Sequence, residues 1–139
     1  MSNAASNYLE NVALDHILGN TVYTPAGTLY LGLFTNDSTA AAANLELGTL
    51  TDEVATAGGT SYVRKAIAFD AASGGSTSNT STVTFDAAGA NWGTITHVAV
   101  MDASTAGNVL FWGAVTTAKT IETGDTFQVS AGNLTISLA

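Results

Sequence analysis

The chain of 139 residues contains no cysteine. Disulfide bonds, thiolate metal ligands and cysteine nucleophiles are therefore excluded together. Only two histidines are present, His16 and His97. A transition-metal site would have to consist mostly of carboxylates, which such metals rarely use alone.

Basic residues are nearly as scarce, with three (Arg64, Lys65 and Lys119) against eleven acidic residues and a net charge of −8. A field of this sign repels phosphates and anionic lipid headgroups, so we expect neither nucleic acid nor a membrane surface as a partner. No run approaches the roughly 18 apolar residues of a membrane span, and the N-terminus lacks the basic and apolar regions of a secretory signal. We therefore expect a soluble protein without a cleaved signal.

The composition is rich in small residues and in threonine, which favours β-strands. The chain has 22 Thr, 24 Ala and 14 Gly, and only 10% of its residues are charged. Its length is that of one domain, so we expect a single domain over residues 1–139. A sparsely charged surface loses little solvation when it is covered, which suits large permanent interfaces.

The pattern predicts one helix, over residues 6–19. Ser6 or Asn7 can cap it, Glu10 has the capping-box spacing from Asn7, and Gly19 is suited to the C′ position. A helix with a broad apolar stripe must pack on the sheet or on a neighbouring subunit. The stripe consists of Leu9, Val12, Ala13 and Ile17 with the neighbouring Leu14 and Leu18.

From residue 28 onward the hydrophobic period changes from 3.6 to 2. Eight short strands separated by turn residues indicate a mainly β fold, an antiparallel β-sandwich of jelly-roll type preceded by the N-terminal helix. Strands 94–101 and 108–115 are apolar on both faces and are predicted to form the central hairpin. The predicted strands within 28–138 are 28–34, 62–69, 81–85, 94–101, 108–115, 119–122, 126–129 and 133–138.

Two connections differ from tight turns. Residues 35–60 form a long loop, in which an irregular helical turn is predicted around Ala40–Leu47; loops of this length are often functional or disordered. Residues 70–80 are rich in Gly, Ser and Thr, which is typical of a mobile hairpin tip.

Neither histidine has the neighbours that catalysis requires. A general base needs a nucleophile and an orienting carboxylate within reach, and Asp102 is predicted on the opposite face from His97. We therefore interpret His97 as a half-buried sheet residue and His16 as a surface or interface residue. Phosphate-binding and nucleophile-elbow motifs are absent, so we expect no catalytic, cofactor-binding or metal-binding residue. In the predicted strand, His97 alternates with Ile95, Ala99 and Met101.

Acidic side chains at the ends of strands commonly cap turns through their own hydrogen bonds, and we expect this role for four aspartates. The chain has one adjacent acidic pair, Asp52 and Glu53, within the long loop. A calcium ion needs several converging oxygens, and the sequence leaves open whether this pair binds one. The four aspartates are Asp70, Asp86, Asp102 and Asp125.

The largest side chains and the adjacent bases also allow two interpretations each. Trp92 and Trp112 belong to the core if they are buried, and can stack on sugars if they are exposed. Arg64 and Lys65 are predicted to point to opposite faces of their strand. One of them could form an intersubunit salt bridge, but a charge that discourages aggregation at a sheet edge explains them equally well.

Taken together, residues 6–138 resemble a family of small tailed-bacteriophage structural proteins often labelled phage tail-fibre-like. Four blocks carry the resemblance: the helix opening SNYLEN–DHILG, GG-x-x-Y-x-R at Gly58–Arg64, W-G-T-I-T-H-V at Trp92–Val98, and G-D-T/F at Gly124–Phe127. The combination is fairly specific, although no single block would be.

The resemblance implies a virion component without catalytic residues. We expect a capsid decoration (cement) protein that stabilises the shell as a homo-oligomer, a trimer, bound to the major capsid protein. The alternative is a tail-fibre or tail-tip component that contacts other tail proteins and binds a host receptor or glycan, for example through an exposed Trp92.

Overall fold

The computed structural model describes residues 4–138, which form a mainly β, antiparallel structure preceded by a helix, as the sequence predicts. A five-stranded sheet has the order β1-β7-β6-β2-β3, and two-stranded ladders pair β4 with β9 and β5 with β8. The elements are β1 (Ala4–Ala5), α1 (Asn7–Ile17), β2 (Leu29–Phe34), α2 (Ser38–Asn44), β3 (Lys65–Ile67), β4 (Ser76–Ser78), β5 (Val83–Thr84), β6 (Gly93–Met101), β7 (Val109–Ile121), β8 (Gln128–Val129) and β9 (Thr135–Ser137).

The predicted central hairpin is confirmed. β6 occupies the middle of the five-stranded sheet and pairs with β7 on one side and β2 on the other. Val98 lies opposite Gly113 on β7 and opposite Leu33 on β2. The two ladders cover one face of this sheet, which makes the arrangement a sandwich. The residues buried between the layers, here called the large core, include Leu31, Leu33, Tyr62, Val83, Phe85, Trp92, Ile95, Val98, Val100, Phe127, Val129 and Ile136.

A small core lies on the other face of the sheet, beneath α2. Asp37 caps this helix by accepting the backbone N–H of Ala40 at 2.7 Å. The turn predicted around Ala40–Leu47 is thus a short helix that gives β6 a second apolar layer. The small core consists of Phe34, Ala41, Leu45, Ala99, Met101 and Val109.

A β-bulge interrupts β6 between Ile95 and His97. The extra residue moves Ile95 into the large core with Val98 and Val100. The prediction that His97 shares a face with Ile95 is therefore wrong. His97 lies on the same face of β6 as Ala99 and Met101, as the alternation of residues after the bulge predicts.

Other differences from the predicted strands come from pairing between distant segments. The predicted strands 108–115 and 119–122 are one strand, β7, because the intervening residues include two threonines, which suit an extended backbone. The predicted hairpin tip at 70–80 contains β4, which has no apolar residue and is held by its pairing with β9. Phe127, Val129, Leu134 and Ile136 point inward, as the period of 2 in the predicted strands 126–129 and 133–138 indicates, but Leu138 is 71% exposed.

Ser6, rather than Asn7, caps α1. Its hydroxyl accepts the N–H of Leu9 at 3.2 Å and donates to the carbonyl of Val109, while its own N–H donates to the carbonyl of Leu110 at 2.9 Å. The fully buried Ser6 therefore attaches the base of the helix to β7. Gly19, at φ +83°, ends the helix in the left-handed conformation expected of a C′ glycine.

Of the two surfaces considered for the apolar stripe of α1, the sheet of its own chain covers only part of it. No residue of the helix is buried, and Leu9, Val12 and Ala13 are only half-buried. Leu14, Ile17 and Leu18, near the end of the helix, are 57%, 75% and 72% exposed. Within residues 4–138, neither helix has the length and apolar character needed to cross a bilayer.

Candidate functional site

The GG-x-x-Y-x-R block places Arg64 in a buried ion pair. Its Nε and Nη2 donate to the two carboxylate oxygens of Glu53, each at 2.7 Å. Its Nη1 donates to the carbonyls of Ala103 and Ala106 at 2.8 Å. The guanidinium thus joins the long connection before β3 to the turn between β6 and β7. Since its donors are used within the chain, Arg64 is not the intersubunit salt bridge considered above.

Tyr62 completes this arrangement. Its hydroxyl donates to Glu53 at 2.8 Å and accepts the N–H of Leu33 at 3.0 Å. Burial and the charge of Glu53 raise the pKa of Tyr62 above its usual value. Burial alone would lower the pKa of Arg64, but the hydrogen bond and charge of Glu53 outweigh it and raise the pKa. Arg64 therefore stays charged and Tyr62 stays protonated at neutral pH.

The other half of the acidic pair is also engaged within the chain. The Asp52 carboxylate accepts the side-chain amides of Asn36 at 2.8 Å and Asn44 at 2.7 Å. Asp52 and Glu53 therefore serve different hydrogen-bond networks rather than converging on one cation. Across residues 4–138, no three acidic or histidine side chains are grouped in a way that could hold a metal ion.

His97 is buried beside the small core, as the interpretation of a sheet histidine predicts. Its Nδ1 lies 3.2 Å from the carbonyl oxygen of Asn36 and 3.0 Å from the hydroxyl of Thr96, and its ring centroid is 6.1 Å from that of Trp112. Burial lowers the pKa of His97, and the Asn36 carbonyl and the charge of Asp37 oppose this only in part. The neutral imidazole is therefore the stable form.

The lowered pKa gives a testable pH dependence. As the pH falls below about 6.5, the unfolded chain takes up a proton at His97 that the folded chain does not, so stability falls. At pH 7.5, His97→Leu should change the free energy of unfolding by no more than about 1.5 kcal/mol. The Asn36 carbonyl loses the imidazole but still accepts a hydrogen bond from the Thr96 hydroxyl, so it is not left unpaired. Urea unfolding between about pH 7.5 and 5 should show a shallower loss of stability for His97→Leu than for the wild type. Equal slopes for both proteins would contradict this role.

The two tryptophans differ in exposure. Trp92 belongs to the large core, where its indole N–H donates to the Thr60 carbonyl at 2.8 Å and its ring meets that of Tyr62 edge-on, with centroids 5.5 Å apart. The suggestion that an exposed Trp92 stacks on a glycan is therefore wrong. Trp112 is half-buried and donates to the Glu46 carboxylate at 3.0 Å.

The strand-end aspartates divide into two kinds. Asp102 caps its turn as predicted, since its two oxygens accept the backbone and side-chain N–H groups of Asn108 at 2.7 and 2.8 Å. Asp125 likewise accepts the N–H of Glu122 at 2.9 Å. The remaining two bond to side chains. Asp70 accepts the hydroxyl of Thr80 at 2.9 Å, and Asp86 pairs with Lys65 at 2.9 Å.

The surface feature that these networks leave unexplained is the end of α1. The chain turns at Gly19 and runs back beside the helix, where the Nδ1 of His16 accepts the N–H of Tyr23 at 3.1 Å. His16 is an exposed helix residue, as predicted. Four large apolar side chains at the end of the helix and in this turn are exposed, and they are here called the helix tip. It consists of Leu14, Ile17, Leu18 and Val22.

A second apolar surface is concave. It is a cleft of about 270 Å³ between the start of β7 and the ladder of β4 with β9, and no ionisable residue lines it. This apolar cleft is lined by Leu29, Phe69, Leu110, Phe111, Ile136 and Leu138, among others. The described residues thus combine an internally hydrogen-bonded framework with two uncovered apolar surfaces, and uncovered apolar surfaces commonly mark sites of association.

The family model for the podophage GP4 fiber I protein gp80 matches residues 4–137. The chain belongs to this family. A search of curated proteins finds no match. Membership identifies the chain as a phage structural protein of the fibre type and a component of the virion, which confirms the resemblance seen in the sequence.

Sequence reasoning missed the partner of Arg64. A single arginine within a strand-like run is a signal of a buried ion pair, because an unpaired guanidinium is costly to bury. The position of Glu53, eleven residues earlier in a long loop, has no local periodicity that would identify it as the partner. The sequence identified the helix-tip residues as apolar, but it did not show that they are exposed.

Proposed function

We propose that this chain is a structural subunit of a virion fibre and performs no catalysis. The observation that carries the proposal is the match to a fibre family over residues 4–137. The description of that family favours the tail-fibre alternative over the capsid decoration role that we expected first. The buried histidine, the internally paired Arg64 and the turn-capping aspartates support a framework role for the polar residues.

The structural role proposed for this subunit, to keep its shape while it binds other subunits, is supported by the distribution of its apolar side chains. The sheet has an apolar core on each face, and the ion pair of Arg64 with Glu53 joins its central turn to the long connection. Such a body keeps its shape while its exposed apolar surfaces bind other subunits. We propose that these subunits form a homo-oligomer, with the trimer as the state to test first, and that other virion proteins are its remaining partners.

The fibre assignment predicts where the chain lies in the particle. Electron microscopy of intact virions labelled with antibodies to this chain should place it on fibres at the tail, at few copies per particle. Antibodies to the major capsid protein on the same particles are the control for access to the shell. Label at the joints across the whole shell would overturn the fibre proposal and support a capsid decoration protein.

A further inference from the structure

A recess of about 250 Å³ lies between α1 and the chain that returns beside it after Gly19. One wall is helical. Tyr8, Val12 and Asp15 are spaced four and three residues apart, so they lie in one row along α1. The other wall consists of residues 21–24, which include a second tyrosine. The turn thus brings two tyrosines and a carboxylate to one cavity, here called the tyrosine recess.

Hydrogen bonds to the helix hold the returning wall in place. The backbone N–H groups of Asn20 and Thr21 donate to the carbonyl of Asp15 at 2.8 and 3.2 Å, and the N–H of Tyr23 donates to the Nδ1 of His16 at 3.1 Å. These bonds use the backbone of Asp15 and Tyr23 and leave their side chains to the recess. Because the Nδ1 of His16 accepts an N–H, it carries no proton, so His16 adds no positive charge beside the recess.

The electrostatic potential inside the tyrosine recess has one sign. Among the described residues that line it, Asp15 has the one charged side chain, and none is basic. Asp15 is exposed and belongs to neither of the two ion pairs within residues 4–138. Burial, with the charges of Tyr8 and Asp102, raises the pKa of Tyr23, so this phenol stays neutral. The faces of neutral aromatic rings are negative, so the recess attracts cations and repels anions.

The side chains in the recess suit an arginine better than a metal ion. A hard cation needs several converging oxygens, and the described residues offer no cluster of three acidic or histidine side chains. A guanidinium is planar, stacks on aromatic rings and donates two hydrogen bonds to one carboxylate. A cavity of roughly 150 Å³ accepts a benzene-sized group, so a recess of about 250 Å³ has room for a guanidinium with part of its stem.

This chain is a poor source of that arginine. It has three basic residues, of which Arg64 and Lys65 are paired within the chain. A net charge of −8 makes two copies repel one another and attracts a basic partner instead.

We propose that the tyrosine recess binds an arginine side chain of a different, basic virion protein. The inference rests on the proposed function, because a fibre subunit must attach to other proteins of the particle. The Asp15 carboxylate accepts the guanidinium N–H groups, and Tyr8 and Tyr23 contact its plane. The recess then acts as an attachment point that reads the charge of the partner, separate from the apolar surfaces of the subunit.

A pair of blocked peptides tests the charge preference. The full chain, labelled with ¹⁵N, is titrated with acetyl-Gly-Arg-Gly-amide and with the same peptide carrying citrulline, an uncharged group of nearly the same shape. The arginine peptide should shift the amide signals of residues 8–15 and 21–24 saturably, with an affinity about fivefold or more above that of the citrulline peptide. Equal affinity for the two peptides, or no saturable shift in these signals, would overturn the proposal.

Variants of exposed helix residues test the site itself. Asp15→Asn and Tyr8→Leu should each weaken binding of the arginine peptide about fivefold or more, with unchanged urea midpoints because Asp15 is exposed and Tyr8 is 36% exposed. Glu10→Gln is the matched control, since it removes the same charge from the same helix. Glu10 is exposed and lies about 200° around the helix from Tyr8, away from the recess. Its effect should stay within about twofold.

An equal loss of peptide affinity in Asp15→Asn and Glu10→Gln would show that only the net charge acts, and would overturn the recess as a binding site. The fibre proposal fails separately. Antibody label across the capsid shell would overturn the fibre location without changing the peptide titration, whereas a chain that does not discriminate the peptides would leave the label on the fibres unchanged.

Discussion

Glu53→Ala is expected to lower the free energy of unfolding by about 3–5 kcal/mol, because it leaves the guanidinium of Arg64 buried without its carboxylate. The Arg64 side chain is 3% exposed and that of Glu53 is 14% exposed, so water cannot replace the lost partner without opening the structure. The Tyr62 hydroxyl loses its acceptor in the same change. Urea unfolding followed by tryptophan fluorescence measures the loss.

The neighbouring pair of Lys65 with Asp86 is the control. Its N–O distance of 2.9 Å is nearly that of the buried pair, but its side chains are 27% and 61% exposed. Because exposed pairs contribute at most about 1 kcal/mol, Lys65→Ala should have a small effect. Equal losses for Glu53→Ala and Lys65→Ala would show that burial does not make the Arg64 pair important.

Val98→Asp is expected to abolish soluble folded protein. Val98 is 2% exposed in the middle strand of the sheet, and its side chain belongs to the large core. A carboxylate there would have no donor, and burying it, charged or protonated, costs several kcal/mol, an amount comparable with the typical stability of about 5–15 kcal/mol. The measurement is the soluble fraction after expression, with circular dichroism of any protein recovered.

Val63→Asp is the matched control for this substitution. Val63 lies between Tyr62 and Arg64 and is 50% exposed, so a carboxylate there remains hydrated. The variant should stay soluble and unfold within about 1 kcal/mol of the wild type. Recovery of folded Val98→Asp in a yield similar to that of Val63→Asp would contradict the central position of β6.

The sequence predicts the elements whose pattern is local. The helix over 6–19, the central hairpin and the inward side chains of β8 and β9 follow from periods of 3.6 and 2 and from turn residues. The burial of His97 follows in the same way. Family membership adds the virion role, which no period or spacing contains.

Features fixed by contacts between distant segments could not be predicted. The bulge at Thr96 depends on the carbonyl of Asn36, some 60 residues earlier, which accepts the Thr96 hydroxyl. β4 has no apolar residue and exists because β9 supplies its hydrogen bonds. The exposure of the helix tip depends on where Ser6 anchors the helix, which the amphipathic pattern does not encode.

The attachment of α1 determines how this subunit would carry tension. β1 has two residues, Ala4 and Ala5, and Ser6 follows it, so a pull that acts through the N-terminal end of the helix reaches the body at the edge of β7. The load then passes into the pairing of β7 with β6, the longest in the sheet. Because β1 has only two residues, its pairing with β7 should separate first under force. The large core and the small core would then stay intact.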